Sequence, residues 1–348
     1  MIVYTIAYIC VLTYAFNYLA TNSFKTNAIS QIAAKLLFLP AIAIVMFKAN
    51  VGTDTANYTN YAETILLDPL ISAQDLNIEY GFYWILKVIV NITDSPRFTI
   101  NFISATIAVY GIYLFSNNRN SIIIFSLLIF PVFFYDMTMN GLRYGLAFLL
   151  AKQAVDYYES KHKFQSVALL ALCASMQVTG VIVFLLLMMK RLSFKVIVNL
   201  MLISVIVGYA YWDRLAEKII GYLEFQSPNL YSGVMPLGIF IACYIVLLRY
   251  RERVGFNIHL MFLLEILSFI LAKYSYAGLR FQLLILFSLF CAISTYKIDS
   301  YKNKKIILTL FLIIGLIGFI AKLKNFADDY GNPPSPFMPY TFLWEASE

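Results

Sequence analysis

The sequence predicts an all-α polytopic membrane protein with roughly ten to twelve transmembrane helices. Three observations carry that expectation. Of 348 residues, 61% are hydrophobic and only 13% charged, with a mean hydropathy of +0.75. Apolar runs long enough to cross a bilayer recur from one end to the other. Finally, stretches such as Ile306 to Ala321 are apolar on every face, whereas strands of an outer-membrane barrel alternate apolar and polar residues. Together these exclude a two-domain soluble enzyme and a β-barrel.

Met1 to Ala20 is uncharged, has no basic region before it and carries no small-residue cleavage pattern, so a retained first helix is expected rather than a removed signal peptide. The second run is 29–47, followed by a span-free loop at 48–79. A short apolar segment at 80–93 precedes runs at 98–115, 121–135, 141–158, 164–189, 196–212, 233–248, 257–272, 281–296 and 306–321. The tail, 322–348, is too proline-rich for another span and either folds over an external cavity or rests at the interface. No repeat and no Gly/Ser linker divides the chain, so 1–348 reads as one integral membrane domain.

The net charge of +7 would suggest nucleic acid in a soluble chain, but the basic residues gather in short loops. They read as orientation signals, and no nucleic-acid partner is expected. Placing Lys25, Lys35, Lys161/Lys163, Lys190/Arg191/Lys195, Arg249/Arg251/Arg253 and Lys297/Lys302/Lys304/Lys305 in the cytoplasm puts both termini outside. Parity then couples 80–93 to 164–189: both cross, or neither does. The second arrangement is preferred, because it sets Arg143 on the external side with Asp54; Phe164 to Met189 then breaks or turns near Gln177 to Gly180. Cys10, Cys173, Cys243 and Cys291 sit singly in apolar runs beside only two histidines, so neither disulfides, a metal site nor another cofactor is expected.

A charge inside hydrocarbon costs about 2.5–3.5 kcal/mol on insertion scales, so polar residues near spans need partners or roles. The loop Gly52-Thr53-Asp54 leads into Tyr58 and Tyr61. If Thr53 or Asp54 caps a helix, Asp54, Tyr58 and Tyr61 share a face suited to a sugar or hydroxyl acceptor, unless this is an ordinary N-cap with interfacial tyrosines. Glu79 precedes Tyr80-Gly81-Phe82-Tyr83-Trp84 and stays open between helix cap and catalytic carboxylate, while Tyr83 and Trp84 read as interface markers.

Asn140-Gly141-Leu142-Arg143-Tyr144-Gly145 opens an apolar helix, with a GxxxG spacing that permits close packing. Arg143 lies at a helix N-terminus that itself favours anions, and its planar fork matches phosphate; the alternative is an arginine snorkelling to the interface. Lys273, Tyr274 and Arg280 form a second cationic group between two spans. Glu265 is expected to be structural, paired with His259 or a basic residue of a neighbouring helix. Lys152 and Asp156 read as a local ion pair, His162 as solvated, and Gln177 as an interhelical hydrogen bonder.

In order and spacing these clusters resemble the EpsG-like branch of the Wzy polysaccharide polymerases over nearly the whole chain. The anchors are Gly52-Thr53-Asp54 with Tyr58, Glu79 with Gly81-Phe82-Tyr83, Asn140-Gly141-Leu142-Arg143 with Ala147, the region of Gln177, and Arg280. The resemblance implies a GT-C-like, metal-independent glycosyltransferase of the bacterial inner membrane. Its donor and acceptor would be oligosaccharide repeat units on undecaprenyl pyrophosphate at the external leaflet, supplied by a flippase and with a chain-length regulator as a further partner. On this reading Arg143 and Arg280 would bind the pyrophosphate and stabilise its departure, Asp54 or Glu79 would take the acceptor proton, with Asp54 favoured for its tyrosine-rich face, and substrate contacts are expected from Thr53, Tyr58, Tyr61, Asn140, Gln177, Lys273 and Tyr274. Tyr80, Tyr144 and Gln177 depart from the proline, glutamine and histidine usual in the family, and the amide of Gln177 cannot carry a proton as imidazole does. The competing functions are an O-antigen ligase and a lipid-linked oligosaccharide flippase.

Overall fold

The computed structural model describes residues 1–20, 35–116, 119–189, 231–250, 254–296, 303–328 and 337–345. The expected run 196–212 and the basic residues at 25, 190, 191, 195, 251, 253, 297 and 302 lie outside them. The described chain is helical: α1 (Ile2–Ala20), α2 (Leu39–Met46, after a 3-10 turn at Leu36–Phe38), α3 (Thr55–Leu67), α4 (Tyr80–Thr93) and α5 (Pro96–Ser116). A broken helix follows, made of α6 (Arg119–Ile124), a π turn (Phe125–Ile129), α7 (Phe130–Tyr135) and a second π turn (Asp136–Asn140). Then come α8 (Leu142–Glu159), α9 (Lys163–Met176), α10 (Thr179–Met188), α11 (Val234–Tyr250), α12 (Phe256–Leu271), α13 (Tyr276–Ser294) and α14 (Lys304–Asp328). Among the described residues, four helices are long and apolar enough to span, and six shorter apolar helices accompany them. The protein is a multi-pass α-helical membrane protein.

The broken helix is the hub: its residues 120–139 are all buried inside the protein. Tyr8 of α1 stacks on Phe130 at 5.9 Å, Tyr4 meets Tyr135 edge-on at 4.9 Å, and Phe287 and Phe290 of α13 pack edge-on against Phe133. The break has a local cause. Pro131 lacks the N–H that would bond the Leu127 carbonyl one turn back. α14 approaches closely at that carbonyl, since a Cβ on Gly315 would lie 1.8 Å from the Leu127 oxygen. Only a glycine lets α14 come this near.

The long apolar run 164–189 is two helices. Ser166 Oγ of α9 donates to the Ala154 carbonyl and Cys173 Sγ to that of Ala147, so α9 runs back along α8. Gly180 of α10 also faces Ala147, where a Cβ would lie 2.9 Å from the alanine methyl, so the chain reverses at Gln177–Val178. At the tip, Gly81 of α4 sits against Ser175, bringing the start of α4 to this hairpin.

The C-terminal segment is a strap. Phe342 pairs with Lys48 in an antiparallel bridge, Ala49 N–H donates to Thr341 O, and Leu343 N–H donates to Phe47 O. Tyr340 Oη donates to Ile44 O and Tyr4 Oη to Phe337 O. Lys48, beneath this bridge, is completely buried; its ammonium donates to Thr55 Oγ1 at 2.9 Å and Val51 O at 3.3 Å, and its carbonyl accepts from Asn101 Nδ2.

One polar expectation changes. Glu265 is completely buried but accepts a hydrogen bond from Gln282 Nε2 at 2.9 Å, whereas His259 Nδ1 lies 2.7 Å from the Tyr244 hydroxyl. An amide one helix away meets the carboxyl without burying a second charge. The glycine pair also packs locally: Gly145 faces the Met137 carbonyl of the preceding π turn, and Gly141 is covered by the Tyr144 ring. Lys152 and Asp156 do form the i, i+4 pair, at 2.5 Å.

Candidate functional site

The site grows from three helix starts that meet at the end of the broken helix. The first is α3. Gly52 adopts φ +114°, and a Cβ there would lie 2.3 Å from the Met139 carbonyl, so a side chain is excluded both by backbone conformation and by space. This tight approach docks the loop on the second π turn. Thr53 N–H donates to Asn140 Oδ1 at 2.9 Å, and Thr55 Oγ1 lies within hydrogen-bond reach of both Val51 O and Met139 O. Asp54 is the N-cap residue of α3, yet its side chain makes no capping hydrogen bond. Its carboxylate is therefore not consumed by the helix end. Burial raises its pKa above the usual carboxylate value, and the charges of Arg280 and Arg143 offset part of that rise.

The second start is α4. Glu79 holds the N-cap position with extended backbone, again without a capping bond. Its carboxylate instead accepts from Arg143 Nη1 at 2.6 Å, with both side chains about a quarter exposed (25% and 28%). The third start is α8, which places Arg143 in its first turn. The Tyr58 phenol is close enough to act electrostatically on Arg143 as well, and the ion pair with Glu79 keeps the guanidinium from snorkelling outward. Tyr58 is only 3% exposed, packed 5.3 Å from Phe82 and 6.3 Å from Tyr61, ring centre to ring centre. It supports the arginine and does not present an open face to a ligand. Burial raises its phenol pKa, and the Arg143 charge opposes that.

The remaining expected residues separate. Arg280, exposed in the first turns of α13, is close enough for its charge to act on Asp54. Lys273 donates to Ser232 O at 2.9 Å and lies 4.3 Å from the Phe269 ring centre. Tyr274 is 70% exposed. Gln177 is the extended residue at the hairpin tip, on the side of α8 and α4 that carries Arg143 and Glu79. Both ends of the Asn140 amide are engaged, with Nδ2 donating to Asp136 Oδ1 at 3.1 Å.

That last contact exposes residues the sequence reading missed. Asp136 is 6% exposed and forms an ion pair with Lys322 of α14. The i, i+4 spacing of Asp136 and Asn140 on one helix was the available signal. Lys48 was missed as well, being a single lysine at the edge of an apolar run.

A model of the EpsG family matches residues 31–342. The chain belongs to the EpsG family. No curated protein and no solved structure matches it. Membership in the EpsG family suggests a polysaccharide-polymerase-like, glycosyltransferase-type activity. Within this EpsG-family chain, the matched stretch takes in all three helix starts and the reversal at Gln177.

Proposed function

We propose that this protein lengthens a polysaccharide at the external face of the bacterial inner membrane, moving a growing glycan from undecaprenyl pyrophosphate onto a new lipid-linked repeat unit. The observation that carries the reading is the convergence of Asp54 with Arg143 and Arg280, in which Asp54 feels both arginines and no capping bond claims its carboxylate. In the transfer, a hydroxyl oxygen at the non-reducing end of the acceptor attacks the anomeric carbon of the donor. The bond from that carbon to the pyrophosphate oxygen breaks, and its electron pair leaves with the pyrophosphate. Asp54 takes the hydroxyl proton, a role worth about 10²–10⁴ in rate.

Arg143 and Arg280 stabilise the charge that grows on the departing pyrophosphate, and loss of one such donor typically costs about 10²–10³. Arg143 suits this role because Glu79 holds its fork before substrate arrives. Glu79 is a positioning residue in this scheme. Membrane extracts given purified lipid-linked repeat units test the function. Longer lipid-linked products made by this protein alone support it, whereas translocation without lengthening, or transfer of finished polymer to another acceptor, refutes it.

A further inference from the structure

We propose that Asp136 is a positioning residue for Asp54, acting through the amide of Asn140, with Lys322 as its counter-charge. This rests on Asp54 being the proton acceptor. Asp136 stands in a buried helix, where a lone carboxylate is costly, and Lys322 of α14 supplies the opposite charge. An ion pair of this kind is commonly only structural. Here the second carboxylate oxygen has a directional task.

An ionised carboxylate can only accept hydrogen bonds, so Asp136 Oδ1 compels the Asn140 amide to present its NH₂ inward. The amide oxygen then faces the other way and accepts Thr53 N–H, the backbone donor adjoining Asp54. Reversing the amide would set NH₂ against N–H and break that bond. The Asp136 carbonyl meanwhile accepts Gly141 N–H at 2.8 Å, closing the π turn from which α8 and Arg143 start. One residue thus fixes the loop bearing Asp54 and the helix start bearing Arg143 relative to each other.

The test compares wild type with Asp136→Asn and with Asp136→Asn/Lys322→Met, the second removing both charges so that no lysine is left buried and unpaired. A side-chain amide at 136 can donate as well as accept, so it no longer dictates the orientation of Asn140. Steady-state assays on lipid-linked repeat units should show kcat lowered about tenfold to a hundredfold in both variants, with KM unchanged, as expected for displacement of a reacting group by about 1 Å. Unchanged kcat, or a loss confined to KM, overturns the proposal.

A second readout does not depend on activity. Val51, 2% exposed beneath the loop, is replaced by cysteine, and maleimide labelling of its peptide is followed by mass spectrometry. Labelling several-fold faster in both Asp136 variants supports the clamp, and an unchanged rate overturns it. If wild-type membranes make no polymer, the polymerase reading falls while the labelling rate still decides the clamp.

Discussion

Arg143 and Glu79 meet at 2.6 Å across 64 residues of sequence, joining the starts of two helices by a charged hydrogen bond. The contact divides labour between the two carboxylates of the site. Glu79 is committed to the arginine, and Asp54, free of any capping bond, remains the one suited to accept a proton.

Replacing Arg143 by Ala is expected to abolish polymer while the protein still reaches the membrane. Lysine should restore little, because a single ammonium cannot match the planar fork that holds Glu79 and a pyrophosphate oxygen together. Glu79→Gln keeps one hydrogen bond and should cost about tenfold, less than the 10²–10³ typical of losing an oxyanion donor. Gel lengths of lipid-linked products measure all three, and full-length polymer from Arg143→Ala rules the assignment out.

The pH profile should report Asp54. A base must be ionised to act, and burial raises this carboxyl above the usual carboxylate range. Activity should therefore fall on acidification at a pH above that expected for an exposed aspartate. In Asp54→Asn this acid limb should vanish along with most of the rate. An unchanged limb in the variant assigns it to another group.

Lys48 makes stability depend on pH in the alkaline range. Burial lowers its pKa from 10.5 to about 7, so across that window the unfolded chain binds a proton that the folded chain does not. Folding stability from this residue therefore rises with pH between those values and is lowest when the folded lysine is charged. Lys48→Met should be more heat-resistant than wild type near neutral pH, with the advantage shrinking towards pH about 10. Thermal unfolding in detergent at both pH values checks this, and a pH-independent difference contradicts it.

Gly52→Ala should loosen the docked loop. Its positive φ and the 2.3 Å approach to Met139 O predict strain of about 1–3 kcal/mol, and activity should drop with thermal stability. Gly238→Ala, inside α11 where a Cβ meets nothing within 4 Å, is the control and should leave activity unchanged without lowering thermal stability.

The sequence made the helical membrane architecture plain, because spans are local and their apolar runs need no knowledge of partners. It also marked Glu79 and Arg143, since each stands where an apolar run begins, and Asp54, since a glycine-led loop and two tyrosines at helical spacing follow one another there. The reversal at Gln177 was visible as a polar interruption in a run too long for one helix. Asp136 and Lys322 were not visible, because a charge just past an apolar run reads as the end of a span. Their pairing spans 186 residues, a separation that periodicity cannot register. Glu265 illustrates the same limit: its buried position was legible, but its partner was the amide of Gln282 and not the histidine six residues earlier.

The strap across residues 47–49 also orders events in time. Tyr340 reaches back 296 residues to Ile44, and Phe342 reaches Lys48 just ahead of the Asp54 loop. At translation rates of about 5–20 residues per second, that loop waits on the order of 15–60 s before the segment that fastens its base emerges. Until then the nascent chain carries Asp54 on an unlatched turn. Emergence of this late strap, rather than insertion of the first helices, sets the moment at which this corner of the molecule takes its final form.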